Sequence, residues 1–180
     1  MRTPSILQRT IARAIGALTG LAMLAIAGCG FHLEGAGALP TVLARTYLDS
    51  AEPHSEFHGS LTDALRLRGS EIVESAEQAD AVLSIVEDST GQRVLSVSAR
   101  NIPREYEIYY LVTFSLLVGG ERVIEPESLI VTRSYTYDET QVLAKAREEL
   151  ELRRSLAEDL ARQVVRRIAA IGAGAAAPRT

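Results

Sequence analysis

Two sets of side chains in this sequence have residue types and spacing that could do chemistry. Cys29 is the only cysteine, and its thiol follows two small residues. His54 and His58 are four residues apart, a spacing found in helical zinc sites. A metalloprotease helix carries Glu directly after its first histidine, whereas Ser55 stands there in this chain. We therefore interpret the histidines as solvated loop residues. We expect no metal and no cofactor, because a metal site needs roughly three or four ligands.

The segment before Cys29 has the three zones of a secretory signal. It begins with arginines, continues with the uncharged, apolar residues 14–27, and ends on small residues. Residues 26–29 (Ile-Ala-Gly-Cys) resemble the bacterial lipobox. We predict a signal peptide over residues 1–28 and a lipidated Cys29 with three acyl chains, where roughly two suffice for stable anchoring. The alternative is an uncleaved transmembrane anchor, for which the apolar run is near the lower limit of about 17–25 residues.

Composition limits the class of protein. The 152 residues after the predicted signal suit one ordinary domain, with 16 basic and 23 acidic residues and a net charge of −7. That charge argues against nonspecific nucleic-acid binding, and we expect no nucleic-acid partner. Nucleophile-elbow, phosphate-loop and dinucleotide-binding motifs are missing from the sequence, so we do not expect an enzyme.

Apolar periodicity predicts the secondary structure of the remaining chain. The predicted strands are at 44–48, 81–98, 106–118 and 129–137, with a short extension at 121–125 before the last one. The first predicted helix begins after the N-cap Ser60 and stops at Gly69, and the second spans 139–171. Within 106–118 every second residue is apolar, which indicates one buried and one partly solvated face. A Gly-Gly pair at 119–120 marks a hairpin. The last helix carries an apolar stripe that includes Leu143 and Leu150.

This order of elements predicts a two-layer α+β fold. Both helices cover one face of a roughly four-stranded, mainly antiparallel or mixed sheet, because each apolar stripe needs a sheet face. The other face is open, and we place Tyr109, Thr113 and Ser115 on it. The chain then divides into a signal peptide at 1–28, a lipidated tether at 29–40, a single domain at 41–171 and a disordered tail at 172–180.

The basic residues of the chain are more informative than its histidines. All but one of the 19 are arginines, and the exception is Lys145. Four arginines fall on or beside predicted strands: Arg93, Arg100, Arg104 and Arg133. Two interpretations stay open at this point. The arginines are either ordinary strand-edge charges that limit aggregation, or a basic patch that holds phosphates.

Several segments resemble one known family. Residues 29–33 (Cys-Gly-Phe-His-Leu), directly after the lipobox, are similar to the mature start of the LptE family of lipopolysaccharide-assembly lipoproteins. Further similar segments follow in the expected order, at 48–50, 65–69, 100–101, 105–106 and 142–145. The resemblance implies two helices on a four-stranded sheet. It also implies a partner, the outer-membrane β-barrel LptD, which binds one to one and holds the domain as a plug in its lumen. The implied ligand is lipopolysaccharide.

The same resemblance assigns site residues and a location. Arg100 and Lys145 match two family positions tied to lipopolysaccharide binding. The implied location is the outer membrane, with Cys29 as the lipid anchor and the domain on the periplasmic side or inside the barrel. Gly30 agrees with this location, since Asp there favours retention at the inner membrane in enterobacteria. Two alternatives stay open: a stand-alone outer-membrane lipoprotein that binds peptidoglycan or another envelope partner, and a periplasmic enzyme.

Overall fold

The computed structural model describes residues 39–175, with side chains up to Ala170. The predicted signal peptide, Cys29 and most of the predicted tether lie outside the described residues, as do residues 176–180 of the predicted tail. Within the described part of the chain, no helix is both long enough and apolar enough to cross a membrane.

Five strands and two α-helices make up the described domain. In chain order they are β1 (Arg45–Ser50), α1 (Glu56–Leu67), β2 (Glu71–Val73), β3 (Ala81–Val97), β4 (Pro103–Val118), β5 (Glu121–Thr136) and α2 (Val142–Ala175). The strands form one sheet in the order β2-β1-β3-β4-β5. β1 is parallel to both its neighbours, whereas β3, β4 and β5 form an antiparallel meander. The predicted two-layer α+β fold is confirmed, and the short edge strand β2 makes the sheet five-stranded rather than four-stranded.

Helix α1 begins earlier than the sequence predicts. Ser55 is its N-cap, and the Ser55 Oγ accepts a hydrogen bond from the His58 N–H at 3.0 Å. Ser60 therefore lies inside the helix. The interpretation of both histidines as loop residues is wrong for His58, which lies in the first turn of α1. The buried face of the helix consists of Phe57, Leu61 and Leu65.

Strands β3, β4 and β5 extend well beyond β1. β1 pairs with β3 only as far as Ile85, and a register irregularity between Ile85 and Glu87 follows. β5 continues through Pro126, where the sequence predicted two separate segments, because proline is tolerated in an edge strand. At about 3.3 Å per residue, the 17-residue strand β3 is about 55 Å long.

The sheet has two ends with different neighbours. We call the end at the β3–β4 turn the distal end and the end at the β4–β5 turn the proximal end. At the proximal end, Gly119 and Gly120 have φ values of 58° and 84°, as the predicted Gly-Gly hairpin requires. Leu39, where the described chain starts, also lies at the proximal end, because its N–H donates to the Arg68 carbonyl at 3.2 Å, just past the end of α1.

The predicted alternation in β4 is confirmed on its helix side. Ile108, Tyr110, Val112, Phe114 and Leu116 are all buried there. On the other face, Tyr109 lies across Gly91, where a Cβ atom would stand 2.5 Å from the tyrosine hydroxyl oxygen. Ser115 is only 3% exposed, so its predicted place on an open surface is wrong. It lies between Phe114 and Leu116, where the register of the β4–β5 pair is irregular.

The contact between α2 and the sheet changes character along the helix. The second half of α2 buries an apolar stripe made of Leu156, Leu160, Val164 and Ile168. In the first half the predicted stripe is wrong, because Leu143 is 83% and Leu150 49% exposed. The partly buried Lys145, Glu149 and Leu152 take the positions toward the sheet. The helix surface that faces the distal sheet is therefore largely polar.

Helix α1 is too short to cover the distal part of the sheet. At about 1.5 Å per residue, its 12 residues span only about 18 Å, roughly a third of the length of β3. The distal part of β3 is left uncovered, and Val94, Leu95 and Val97 are about half exposed there.

Candidate functional site

The two cations that the sequence analysis assigns to ligand binding both lie at the distal end. Arg100 is exposed in the β3–β4 turn, and Lys145 is in the first turn of α2. The Tyr137 N–H donates to the Arg104 carbonyl at 2.8 Å, which joins the connection before α2 to the start of β4. The topology thus brings Arg100 and Lys145 to the same end of the sheet, although they are far apart in sequence.

The turn that carries Arg100 is held by its own hydrogen bonds. The Ser98 N–H donates to the Ile102 carbonyl at 2.8 Å, and the Ile102 N–H donates to Ser98 Oγ at 3.2 Å. Asn101 has a φ of 60°, a left-handed conformation that Asn tolerates better than most residues. These bonds fix the backbone while the Arg100 side chain stays exposed to solvent.

Lys145 is held more tightly than a surface lysine. Its side chain is 19% exposed, and its Nζ donates to Glu148 Oε2 at 2.7 Å. Asp138, at the entry to α2, is also close enough to feel its charge. The pKa of Asp138 is lowered, first by the hydrogen bond from the Thr140 hydroxyl and to a smaller extent by the charge of Lys145. The ammonium group therefore lies among carboxylates.

Three tyrosines lie under this part of α2. The ring of Tyr106 is 5.8 Å from that of Tyr135, nearly parallel to it, and 5.4 Å from that of Tyr137, edge to face. The Tyr135 hydroxyl is 3.2 Å from Gln92 Oε1 and 3.4 Å from Glu149 Oε2. Burial, followed by the charge of Glu149, raises the pKa of Tyr135 to about 12. The hydroxyl is therefore a stable hydrogen-bond donor at neutral pH.

The four arginines near the sheet divide into two groups. Arg93 is 2.5 Å from Glu107 across the β3–β4 pair, and Arg133 is 3.1 Å from Asp159 of α2. These two are structural ion pairs. Arg100 and Arg104, near the distal turn, form no salt bridge with another described residue. Of the four arginines, only the two near the distal turn are therefore left for the basic-patch interpretation, and the strand-edge interpretation suits the other two.

The histidine pair belongs to the start of α1. The Ser55 hydroxyl donates to Asp88 Oδ2 of β3 at 2.5 Å while it caps the helix. Burial, partly offset by the charge of Asp88, lowers the pKa of the half-buried His58. Burial, and then the charge of Asp88, raises the pKa of the Tyr110 hydroxyl. Among the described residues, no group of three or more His, Cys, Asp or Glu side chains is arranged to hold a metal ion.

Three residues near the two cations of the distal end were not predicted from the sequence. Glu148 could have been found, because a glutamate three residues after a lysine on a helix is a standard ion-pair spacing. Tyr135 and Glu149 could not, because their contact joins a strand to a helix and depends on the rotation of α2 about its axis.

Comparison with known proteins decides the family. The LptE family model, described as lipopolysaccharide-assembly, matches residues 43–168. The chain belongs to the LptE family. Among curated LptE sequences, the LPS-assembly lipoprotein LptE of Yersinia pestis is 32% identical over 162 residues, which cover 89% of this chain and 78% of that one. The LptE resemblance deduced from the sequence is thereby confirmed.

Solved structures agree with the LptE assignment. Lipoprotein B of Nitrosomonas europaea superimposes with a TM-score of 0.68 and 27% identity, covering 80% of this chain and 93% of that one. The rare lipoprotein B of Shewanella oneidensis gives a TM-score of 0.64 and 27% identity, covering 73% and 98%. The two helices and meander sheet are thus the LptE-like lipoprotein fold.

Proposed function

We propose that this LptE-family lipoprotein works one to one with an LptD-type outer-membrane β-barrel to assemble lipopolysaccharide at the outer-membrane surface. It plugs the barrel, aids the assembly of the barrel and binds lipopolysaccharide, and its role is binding rather than catalysis. Cys29 anchors it to the outer membrane by lipid, with the domain on the periplasmic side or inside the barrel lumen.

The observation that carries the proposal is the placement of Arg100 and Lys145 at one end of an LptE-family domain. The mature chain is acidic overall, so an anionic ligand must be attracted by local charge. At physiological ionic strength the screening length is about 8 Å, which lets fixed cations at the distal end act on a phosphate largely apart from carboxylates elsewhere.

Apolar surface at the same end also supports this ligand. Leu143 on α2 is exposed, as are Val94, Leu95 and Val97 on β3. Lipopolysaccharide combines phosphates with acyl chains, so it needs cations and apolar surface close together. Exposed apolar residues in this number are also typical of surfaces that a partner covers.

Capture of the tagged, full-length protein from detergent-solubilised membranes tests the proposed function. We expect a large β-barrel protein to co-purify in near equal amount. A lipoprotein recovered without such a barrel, or with a peptidoglycan-bound partner instead, would contradict the proposal and favour the stand-alone alternative.

A further inference from the structure

The ammonium group of Lys145 is already occupied in this structure. Its Nζ lies 2.7 Å from Glu148 Oε2, and the lysine side chain is 19% exposed against 44% for the glutamate. The lysine is thus fixed against the domain, whereas the glutamate is free to turn into solvent. A phosphate that reaches Lys145 meets an ion pair rather than a free cation.

Glu148 is distinguished from the other carboxylates near Lys145 by what else each one binds. Glu149 accepts from Arg153 at 2.7 Å and lies next to the Tyr135 hydroxyl, so it is held by other groups. Asp138 accepts from the N–H and hydroxyl of Thr140 at 2.9 and 2.7 Å and from Gln141 at 3.2 Å, so its orientation is set by the start of α2. Glu148 forms no salt bridge with a described residue other than Lys145.

We propose that Glu148 is an internal competitor that occupies the Lys145 ammonium until a phosphate group of the glycolipid displaces it. This inference rests on the proposed function and concerns the regulation of the same site. The exchange replaces one carboxylate partner of the ammonium by one phosphate partner, so Lys145 is paired in both states. Because a free Glu148 side chain stays close to the bound phosphate, the carboxylate weakens binding in two ways: by competition and by repulsion.

Substitution of Glu148 by Gln therefore strengthens binding. The amide keeps the size and helix propensity of the side chain but removes its charge. We expect purified lipopolysaccharide to bind Glu148→Gln about two- to fivefold more tightly than the wild type, the range that a partly exposed ion pair implies.

The matched control is Glu151→Gln. Glu151 is on the same helix, 3.6 Å from Arg154, and its side chain is 69% exposed. The substitution changes net charge by the same amount without touching Lys145. At about 0.15 M salt we expect the affinity of Glu151→Gln to equal that of the wild type. Glu151 is six residues after Lys145 on α2, about 9 Å along the helix axis, and the screening length is about 8 Å.

A double-mutant cycle identifies the group through which Glu148 acts. In a Lys145→Gln background, Glu148→Gln should no longer tighten binding. Lipopolysaccharide whose lipid A phosphates have been removed should likewise show no gain. The titrations use the full-length protein in detergent, with all variants at equal fold content by circular dichroism.

Two results would overturn the inference while wild-type binding persists. One is a Glu148→Gln affinity equal to or weaker than that of the wild type. The other is a gain that survives in the Lys145→Gln background or with lipopolysaccharide that lacks its lipid A phosphates. Absence of lipopolysaccharide binding by the wild type would be a different failure, because it contradicts the proposed function itself.

Discussion

The Tyr135 hydroxyl of β5 lies 3.4 Å from Glu149 Oε2 of α2, and this contact joins the sheet to the half of the helix that carries Lys145. The second half of α2 packs mainly through buried apolar residues, but here polar groups replace them. The arginine of the i,i+4 pair Arg153–Glu149 keeps the carboxylate in place. The position of the candidate ligand-binding lysine therefore depends on a small hydrogen-bonded network.

Tyr135→Phe should loosen the start of α2 without altering the fold. The substitution removes the hydroxyl and keeps the ring that stacks on Tyr106. We expect a loss of about 0.5–1.5 kcal/mol in the free energy of unfolding, the usual net value of one hydrogen bond. Amide hydrogen exchange should become faster in residues 142–153. Tyr137→Phe, in the same tyrosine cluster, serves as the control, and equal exchange in both variants would contradict the role given to the Tyr135 hydroxyl.

The N-cap of α1 can be tested with two serines five positions apart. Ser55→Ala removes the oxygen that accepts the His58 N–H and the hydroxyl that donates to Asp88. We expect the free energy of unfolding, measured with urea, to fall by about 0.5–2 kcal/mol. Ser60→Ala, inside the helix, should be neutral or slightly stabilising because Ala is the better helix former. The reverse order of effects would restore the helix start predicted from the sequence.

The half-buried His58 predicts a pH dependence of stability. Burial lowers the pKa of His58 in the folded protein below its unfolded value of about 6.5. As pH falls through that value the unfolded chain takes up a proton that the folded chain resists, so stability decreases. Urea midpoints between pH 7.5 and 5.5 should fall more for the wild type than for His58→Gln. Replacement of the exposed His54 by Gln should change the slope much less than His58→Gln does, because the charge of His54 is the smallest of the causes that act on the pKa of His58. Identical slopes for wild type and His58→Gln would rule out this contribution.

The assignment of Arg100 and Lys145 to lipopolysaccharide binding predicts the effect of charge reversal. Arg100→Glu combined with Lys145→Glu should weaken binding by about tenfold or more, as expected when charged hydrogen bonds to phosphate are replaced by repulsion. The fold should survive, because neither side chain belongs to the apolar core. Titration of purified lipopolysaccharide provides the measurement.

The control for that double variant reverses two charges elsewhere. Arg122→Glu with Arg166→Glu alters exposed arginines of β5 and the second half of α2, with the same change in net charge. A loss of affinity equal to that of the distal variant would show a general effect of net charge and not a site.

The fold could be predicted where the signal is local. The alternation along β4 and the two glycines after it are complete within one hairpin, so the strand, its helix-facing side and the turn were available from the sequence. The start of α1 was not, since Ser55 and Ser60 both suit an N-cap. The deciding contact comes from Asp88, on a strand that follows later in the chain.

In the candidate site, too, only part of the arrangement could be predicted from the sequence. The family resemblance identifies Lys145 and Arg100. It does not predict that Lys145 is paired with Glu148 or that Arg100 is exposed. Apolar spacing alone predicted that Leu143 and Leu150 face the sheet. The sheet offers Tyr135 and a glutamine at that level, so the helix turns Glu149 toward them and exposes the leucines. Such a choice between helix faces depends on the partner surface, which no local pattern contains.

The length of the meander, together with the residues before Leu39, limits how far the cations of the distal end can lie from the lipid on Cys29. Leu39 is at one end of a sheet about 55 Å long and Arg100 is at the other. The ten residues from Cys29 to Leu39 add at most about 35 Å. A bilayer has a hydrocarbon core of about 30 Å. The sheet is thus longer than the hydrocarbon core is thick. Under the proposed function, the lipid on Cys29 can stay in the inner leaflet while the domain presents its cations near the opposite leaflet.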